Sequence, residues 1–157
     1  KLPVVKEIAE MQLEETPINV DLVAQLATGA FLETKRNIVL VGGTGTGKSH
    51  IAIGITRALI RAGRKARFFN TVDLVNSLEA EAKLGRSGRT ADRLSRVDLV
   101  VLDELGYLPF AQSGGQLLFH LVSRLYERTS LIVTTNLDFR EWSTVFTEAA
   151  EIGRAHV

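Results

Sequence analysis

The sequence predicts an α/β fold, a parallel sheet with helices packed on its faces. Three observations carry that expectation. Ile38-Val39-Leu40-Val41 and Leu99-Val100-Val101-Leu102 are short continuous apolar runs, the pattern of strands buried on both faces. Segments with apolar residues at helical spacing separate such runs. Glycines or capping side chains stand at the junctions between the two kinds of segment.

Taken in order, residues 1–35 read as an N-terminal helical segment in two pieces. Val4 to Leu13 mixes polar and apolar positions and stops before Pro17. Asn19 is placed to cap a second helix carrying Leu22, Val23, Leu26 and Ala30. Ile38–Val41 is the first strand. Glycines follow, then a helix with Ile51, Ile55, Ala58, Leu59 and Ala62 on one face, ended by Gly63. Ala66 to Phe69 is the next strand. Asn70 or Thr71 caps a helix that turns Leu74, Val75, Leu78 and Ala82 inward and closes at Gly85. The basic stretch to Arg96 reads as loop plus a short helix, and Leu99–Leu102 as a third strand. Gly114 and Gly115 precede a helix with Leu117, Leu118, Leu121, Val122 and Leu125 on one face. Leu131-Ile132-Val133 is the fourth strand. Strands alternating with helices make a parallel sheet covered on both sides.

Composition narrows the function classes. The chain has 157 residues, 45% hydrophobic and 24% charged, which suits one compact domain and argues against disorder. There is no cysteine, so disulfide scaffolds and Cys-based zinc sites are excluded. No apolar run approaches the roughly 18 residues of a membrane helix, so no membrane partner is expected. Lys1 to Glu15 is dotted with charges rather than shaped like a secretory signal. The formal net charge of +1 hides a split: residues 57–96 carry a net +6, against −3 for residues 1–35 and −4 for residues 97–157. Asymmetry of this kind can mark an electrostatic footprint.

The chemistry is concentrated in three places. Gly42-Gly43-Thr44-Gly45-Thr46-Gly47-Lys48-Ser49 matches G-x-x-x-x-G-K-[ST] in full. Glycines let the backbone curl so that N–H groups converge on phosphate oxygens, and the following helix aims its N-terminus at the same anion. Lys48 would reach the β- and γ-phosphates, and the Ser49 hydroxyl would bind Mg²⁺. Asp103 and Glu104 follow an apolar strand, at the edge where open α/β sheets bind ligands. Asp103 would hold Mg²⁺ through water, and Glu104 would polarise the attacking water. Thr134-Thr135-Asn136 ends the fourth strand, where the Asn136 amide could reach the γ-phosphate or the water. Asn136-Leu137-Asp138-Phe139 lacks the lysine of N-K-x-D, so guanine specificity is disfavoured.

Two further groups carry charge. Arg124 and Arg128, in and just past the helix before the fourth strand, are either solvated or fingers for a neighbouring subunit's γ-phosphate. Lys83, Arg86, Arg89, Arg93 and Arg96 are either a solvated face or contacts to a nucleic-acid backbone. His50 and His120 are isolated, and Trp142, near Phe139 and Phe146, reads as packing.

From about Ile18 to Phe146 the chain resembles the IstB-like ATP-binding family. These are helper ATPases of bacterial insertion sequences, kin to the DnaC helicase loaders and of the AAA+ class. The resemblance rests on the glycine-rich loop, on Asp103-Glu104-Leu105-Gly106-Tyr107-Leu108-Pro109, on Ser123-Arg124-Leu125-Tyr126-Glu127-Arg128, on Thr134–Asn136 and on Phe139-Arg140-Glu141-Trp142. It implies a cytoplasmic bacterial ATPase that uses ATP and Mg²⁺, binds DNA, self-assembles and assists a transposase. It also favours the DNA role of Lys83–Arg96 and an arginine finger at Arg124 or Arg128.

The expected domains are 1–35, helical; 36–148, an AAA+ ATPase core; and 149–157, a non-native tail. The family continues past Trp142 with a helix, a last strand and an arginine-bearing segment. Glu151 to Val157 does not resemble it, so the reading frame is expected to be truncated, with Arg154 and His156 given no role. Without that last strand Ile38–Val41 is expected to lie at an exposed sheet edge, and the fragment to be less soluble and less active than a completed chain. The rival readings are a DnaC-like loader acting with a replicative helicase, a small-molecule phosphotransferase, for which no lid segment is found, and a nucleotide-binding assembly module without turnover.

Overall fold

The computed structural model describes residues 20–42, 47–106 and 112–136. Val4–Leu13, Asn19, Gly43–Thr46, Tyr107–Pro109, Trp142 and the 149–157 segment lie outside these. The described elements are α1 (Val20–Leu26), α2 (Ala30–Glu33), β1 (Ile38–Val41), α3 (Lys48–Arg61), β2 (Ala66–Asn70), α4 (Thr71–Lys83), α5 (Arg89–Leu94), β3 (Leu99–Leu105), α6 (Gln112–Leu125) and β4 (Ser130–Thr135). The four strands are all parallel, in the order β1-β4-β3-β2.

Two apolar clusters sandwich the sheet. On one face Val23, Phe31, Leu32, Ile51, Ile55 and Leu59 of α1–α3 pack on Leu99, Val101 and Ile132. On the other, Leu74, Val75, Leu78, Leu118, Leu121 and Leu125 of α4 and α6 pack on Val100, Leu102, Leu131 and Val133. The strands therefore divide their side chains by parity: Leu99 and Val101 of β3 face α3, while Val100 and Leu102 face α4 and α6, as does Leu105 beyond a register shift. The chain crosses from β1 to the far edge by α3, then returns through β2, β3 and β4 with its helices on the opposite face. Parallel pairing gathers the carboxyl ends of all four strands on one edge, and the site is built there.

β1 is only half-buried, with Val41 48% exposed, and its sole described neighbour is β4; its apolar run alone reads as a strand buried on both faces, whereas the edge position is the one expected above for Ile38–Val41. Two expectations change. The single helix expected from Leu22 to Ala30 is broken: Gly29, at φ +81°, turns the chain between α1 and α2. A Cβ at Gly29 would meet Leu59 Cδ2 at 2.9 Å, so glycine serves both the turn and the close packing. Helix α6 begins at Gln112 and takes in Gly114 and Gly115 rather than following them. The other elements match their sequence assignments within two or three residues, with Asn70 as the N-cap of α4.

Candidate functional site

Strand parity explains the centre of the site. Val101 faces α3, so Asp103, two residues on, faces the first turn of α3. Ile132 shares that face, and so does Thr134. The three side chains meet: Asp103 Oδ1 accepts the Ser49 hydroxyl at 2.8 Å and the Thr134 hydroxyl as well. Asp103 is 8% exposed and Thr134 fully buried. The Asp103 carbonyl accepts the Thr71 hydroxyl at 2.8 Å. A buried carboxylate held by two hydroxyl donors is fixed in direction as well as in place.

Glu104 is turned out of the sheet pattern. β3 and β4 pair Leu102 with Val133 and Leu105 with Thr135, so β3 carries one extra residue between the two points. This bulge falls on Asp103-Glu104, and Glu104 adopts φ +60°, left-handed for a non-glycine residue. Its N–H donates to Thr134 Oγ1 at 2.9 Å, and Asn70 Nδ2 donates to its Oε2 at 2.9 Å. The carboxylate is exposed at the strand edge. Backbone strain of this sort costs on the order of 1–3 kcal/mol and persists where surrounding bonds determine it.

The start of α3 is arranged for an anion. Gly47 sits at φ +85° as N-cap, with no side-chain cap on the helix and no acidic residue in the first turn. The N–H groups there lack the side-chain partner that Asn70 gives α4. Lys48 and Ser49 open the helix, both half-buried. Gly42, at the end of β1, donates its N–H to the Thr135 carbonyl at 3.1 Å. Asn136 follows β4 and is exposed. A Cβ at Gly106 would lie 3.3 Å from Asn136 Oδ1, which places the amide beside the end of β3.

Of the expected residues, Gly42, Gly47, Lys48, Ser49, Asp103, Glu104 and Asn136 share this edge; Gly43–Thr46 are outside the described residues. Arg124 and Arg128 do not join them. Arg124, at the far end of α6, is ion-paired with Asp92 of α5, and Arg128 is exposed in the turn before β4. Lys83, Arg86, Arg89, Arg93 and Arg96 are all exposed. Helix α4, 13 residues and so about 20 Å long, carries the chain away from the nucleotide edge before most of them. The sequence reading missed the bonds of Thr134, Thr71 and Asn70. A threonine pair ending an apolar strand was the one available signal for the first.

The chemistry of the donor set fits a magnesium nucleotide. Among the described residues no cluster of three or more His, Cys, Asp or Glu could hold a metal by itself. One hydroxyl and one carboxylate are what Mg²⁺ takes from a protein when phosphates and water supply the rest.

A protein-family model for the IstB-like ATP binding proteins matches residues 1–155. The chain belongs to this family. Among its relatives, a Pseudomonas aeruginosa protein of insertion sequence IS21, named for ATP binding, is 34% identical over 93% of this chain and 56% of its own length. The corresponding IS232 protein of Bacillus thuringiensis is 33% identical over 90% of this chain and 57% of its own. The chain thus spans little more than half the length of these family members. Among solved structures, the DnaC helicase loader aligns with TM-score 0.69 and 18% identity, over 97% of this chain and 89% of that one. DnaA from Aquifex aeolicus, bound to AMPPCP, aligns with TM-score 0.70 and 17% identity, over 88% and 46%. These likenesses show the AAA+ fold of the P-loop class.

Proposed function

We propose that this IstB-like chain binds and hydrolyses Mg·ATP and, as a DNA-binding helper ATPase working in an oligomer, assists a transposase. The observation that carries the ATPase reading is the bonded set Ser49–Asp103–Thr134–Glu104, two acids held in different orientations at the end of one strand. Gly42–Ser49 would cradle the phosphates, with Lys48 on the β- and γ-phosphates. Ser49 and Asp103 would hold Mg²⁺, which when bound neutralises phosphate charge. The Ser49 hydroxyl now bonded to Asp103 is the group that would turn to the metal. Glu104 would take a proton from the attacking water, and Asn136 would orient that water or the γ-phosphate. Asn70 holds Glu104 at the edge of β2, so the base must leave that partner to reach water above the phosphates. Thr134 would do no proton transfer; it bonds the Asp103 carboxylate and the Glu104 backbone N–H.

The transposase role is supported by the insertion-sequence relatives, and DNA contact by the exposed basic stretch Lys83–Arg96. A DnaA bound to AMPPCP and single-stranded DNA is also among the structures that share the fold, at TM-score 0.66. For a finger in trans, Arg128 is the better placed arginine, because Arg124 is engaged by Asp92 within the chain. The restraint of Glu104 by Asn70 favours one second reading, an assembly module that binds ATP without turnover.

Glu104→Gln separates the two readings. It keeps the size and the Asn70 contact but removes the base. Nucleotide affinity should be retained while phosphate release falls by about 10²-fold or more. Phosphate release unchanged from a measurable wild-type rate would show the base to be misassigned; no release from the wild type in the presence of DNA would favour the assembly module. A transposase gene beside this one supports the transposition partner, and a replicative-helicase context the loader.

A further inference from the structure

The peptide unit that joins Asp103 to Glu104 is held at both ends by threonine. Its carbonyl, that of Asp103, accepts the Thr71 hydroxyl at 2.8 Å. Its N–H, that of Glu104, donates to Thr134 Oγ1 at 2.9 Å. One residue further on, the Leu105 carbonyl accepts the Thr135 hydroxyl. All three threonines are fully buried, and so is Leu105. Thr71 comes from the first turn of α4, and Thr134 and Thr135 from the end of β4. The bulge is thus gripped from both sides of β3.

That grip decides where the second acid points. A regular strand would send Asp103 toward α3, Glu104 toward α4 and α6, and Leu105 toward α3 again. The structure instead places Leu105 in the apolar cluster under α4 and α6. Glu104 is left over, exposed and at φ +60°. In the regular arrangement its carboxylate would enter the apolar cluster, where an unpaired charge is strongly unfavourable. The bulge therefore keeps both acids at one edge, in different directions. Rotating the Asp103–Glu104 peptide plane changes φ of Glu104 directly, and left-handed backbone is unfavourable for a residue with a Cβ. A plane bonded at its C=O and at its N–H cannot rotate without breaking a buried hydrogen bond.

Thr71 is the informative member of the group. Thr134 also bonds the Asp103 carboxylate, so a change there disturbs both acids. The Thr71 hydroxyl bonds main chain instead. A hydroxyl that only satisfied a buried carbonyl would matter for stability alone. This carbonyl belongs to the peptide that sets the direction of Glu104. We infer that Thr71 is a positioning residue for ATP hydrolysis: by holding the carbonyl end of the Asp103–Glu104 peptide, it keeps Glu104 in the left-handed conformation from which the carboxylate works on water. The inference rests on the ATPase reading above and adds to it a residue whose hydroxyl bonds neither acid's carboxylate.

The test uses the full chain and follows phosphate release and nucleotide affinity. Thr71→Val keeps the shape and removes the donor. It should lower kcat about tenfold or more, because a small misplacement of a catalytic group is felt strongly, and leave KM and Mg·ATP affinity near wild type. Thr71→Ser restores the donor and should restore kcat. In the Glu104→Gln background Thr71→Val should have no further effect, since the group it positions is gone. Thr129→Val controls for stability: Thr129 is equally buried, and its hydroxyl bonds the Leu94 and Val97 carbonyls at 3.1 and 2.9 Å, at the opposite end of the sheet. It should lower the thermal midpoint and leave kcat unchanged. The proposal is overturned by a wild-type kcat in Thr71→Val, by an equal loss in the Glu104→Gln background, or by no recovery in Thr71→Ser. A loss of kcat in Thr129→Val that matches Thr71→Val overturns it too. Thr71→Cys, close in size with only a weak donor, replaces the valine variant should that fail to fold; its kcat should fall, and a wild-type value overturns the proposal. Each of these results leaves the ATPase reading intact, whereas no phosphate release from the wild type in the presence of DNA removes both.

Discussion

Asn70 makes two bonds from one amide. Its Oδ1 accepts the Asp73 N–H at the start of α4, at 3.2 Å, and its Nδ2 donates to Glu104 Oε2. Two substitutions separate these jobs. Asn70→Asp keeps the cap, since aspartate is as good an N-cap as asparagine, but sets a carboxylate against the Glu104 carboxylate. The lost amide donor and the added charge should lower the rate of phosphate release at fixed pH, with the thermal midpoint little changed. Asn70→Ala loses the cap and about 1 kcal/mol of stability, and leaves Glu104 unrestrained. A wild-type rate of phosphate release in Asn70→Asp would show that the contact does not bear on catalysis. The spacing of Lys48 and Ser49, and the two acids ending an apolar run, were legible from the chain because each is local. Thr134 was not, because its partner Asp103 lies 31 residues away in sequence and only the β3–β4 register brings them together.

At the scale of elements, periodicity located the strands and helices because burial imposes it: Ile51, Ile55 and Leu59 on α3 are all at most 1% exposed. It failed where backbone conformation decides. Nothing in the spacing of Leu22, Val23, Leu26 and Ala30 reveals that Gly29 turns the chain. Gly29→Ala should be destabilising by about 1–2 kcal/mol or more, from the left-handed φ and the crowding of Leu59 together. Urea denaturation measures it; a wild-type midpoint would mean that α1 and α2 rejoin as one helix. The ion pair between Arg64 and Glu33 ties α2 to the turn after α3 and was likewise invisible in the sequence. Apolar runs also fail to distinguish central strands from edges. β3 is buried throughout except at Glu104, whereas β1 is half-open, because the neighbours of a strand are set by topology.

Across the whole molecule, the charge split resolves into two separate regions. The acids proposed to serve ATP, Asp103 and Glu104, lie at the carboxyl end of β3, and the cations gather along the end of α4, α5 and the turns around them. Neutral substitution of Arg86 and Arg89 together should weaken DNA binding without altering nucleotide affinity. The slope of log K against log salt should become shallower by about 2, one unit for each lost phosphate contact. An unchanged slope in a salt titration would place the DNA elsewhere. No described helix is long and apolar enough to cross a membrane.

The sequence alone determined the alternation of strands and helices, the glycine-rich loop before α3, and the acids ending β3. These follow from local physics: burial periodicity, glycine's access to left-handed backbone, and the appearance of polar residues where an apolar run stops. Tertiary structure decided which strand lies at the edge, how the bulge turns Glu104 out beside Asn70, and that Arg124 is spent on Asp92. It also decided that Thr71 and Thr134 hold the peptide between the two acids. Each of these depends on contacts between residues far apart in the chain, and such contacts are set by strand order and register rather than by the spacing of neighbours.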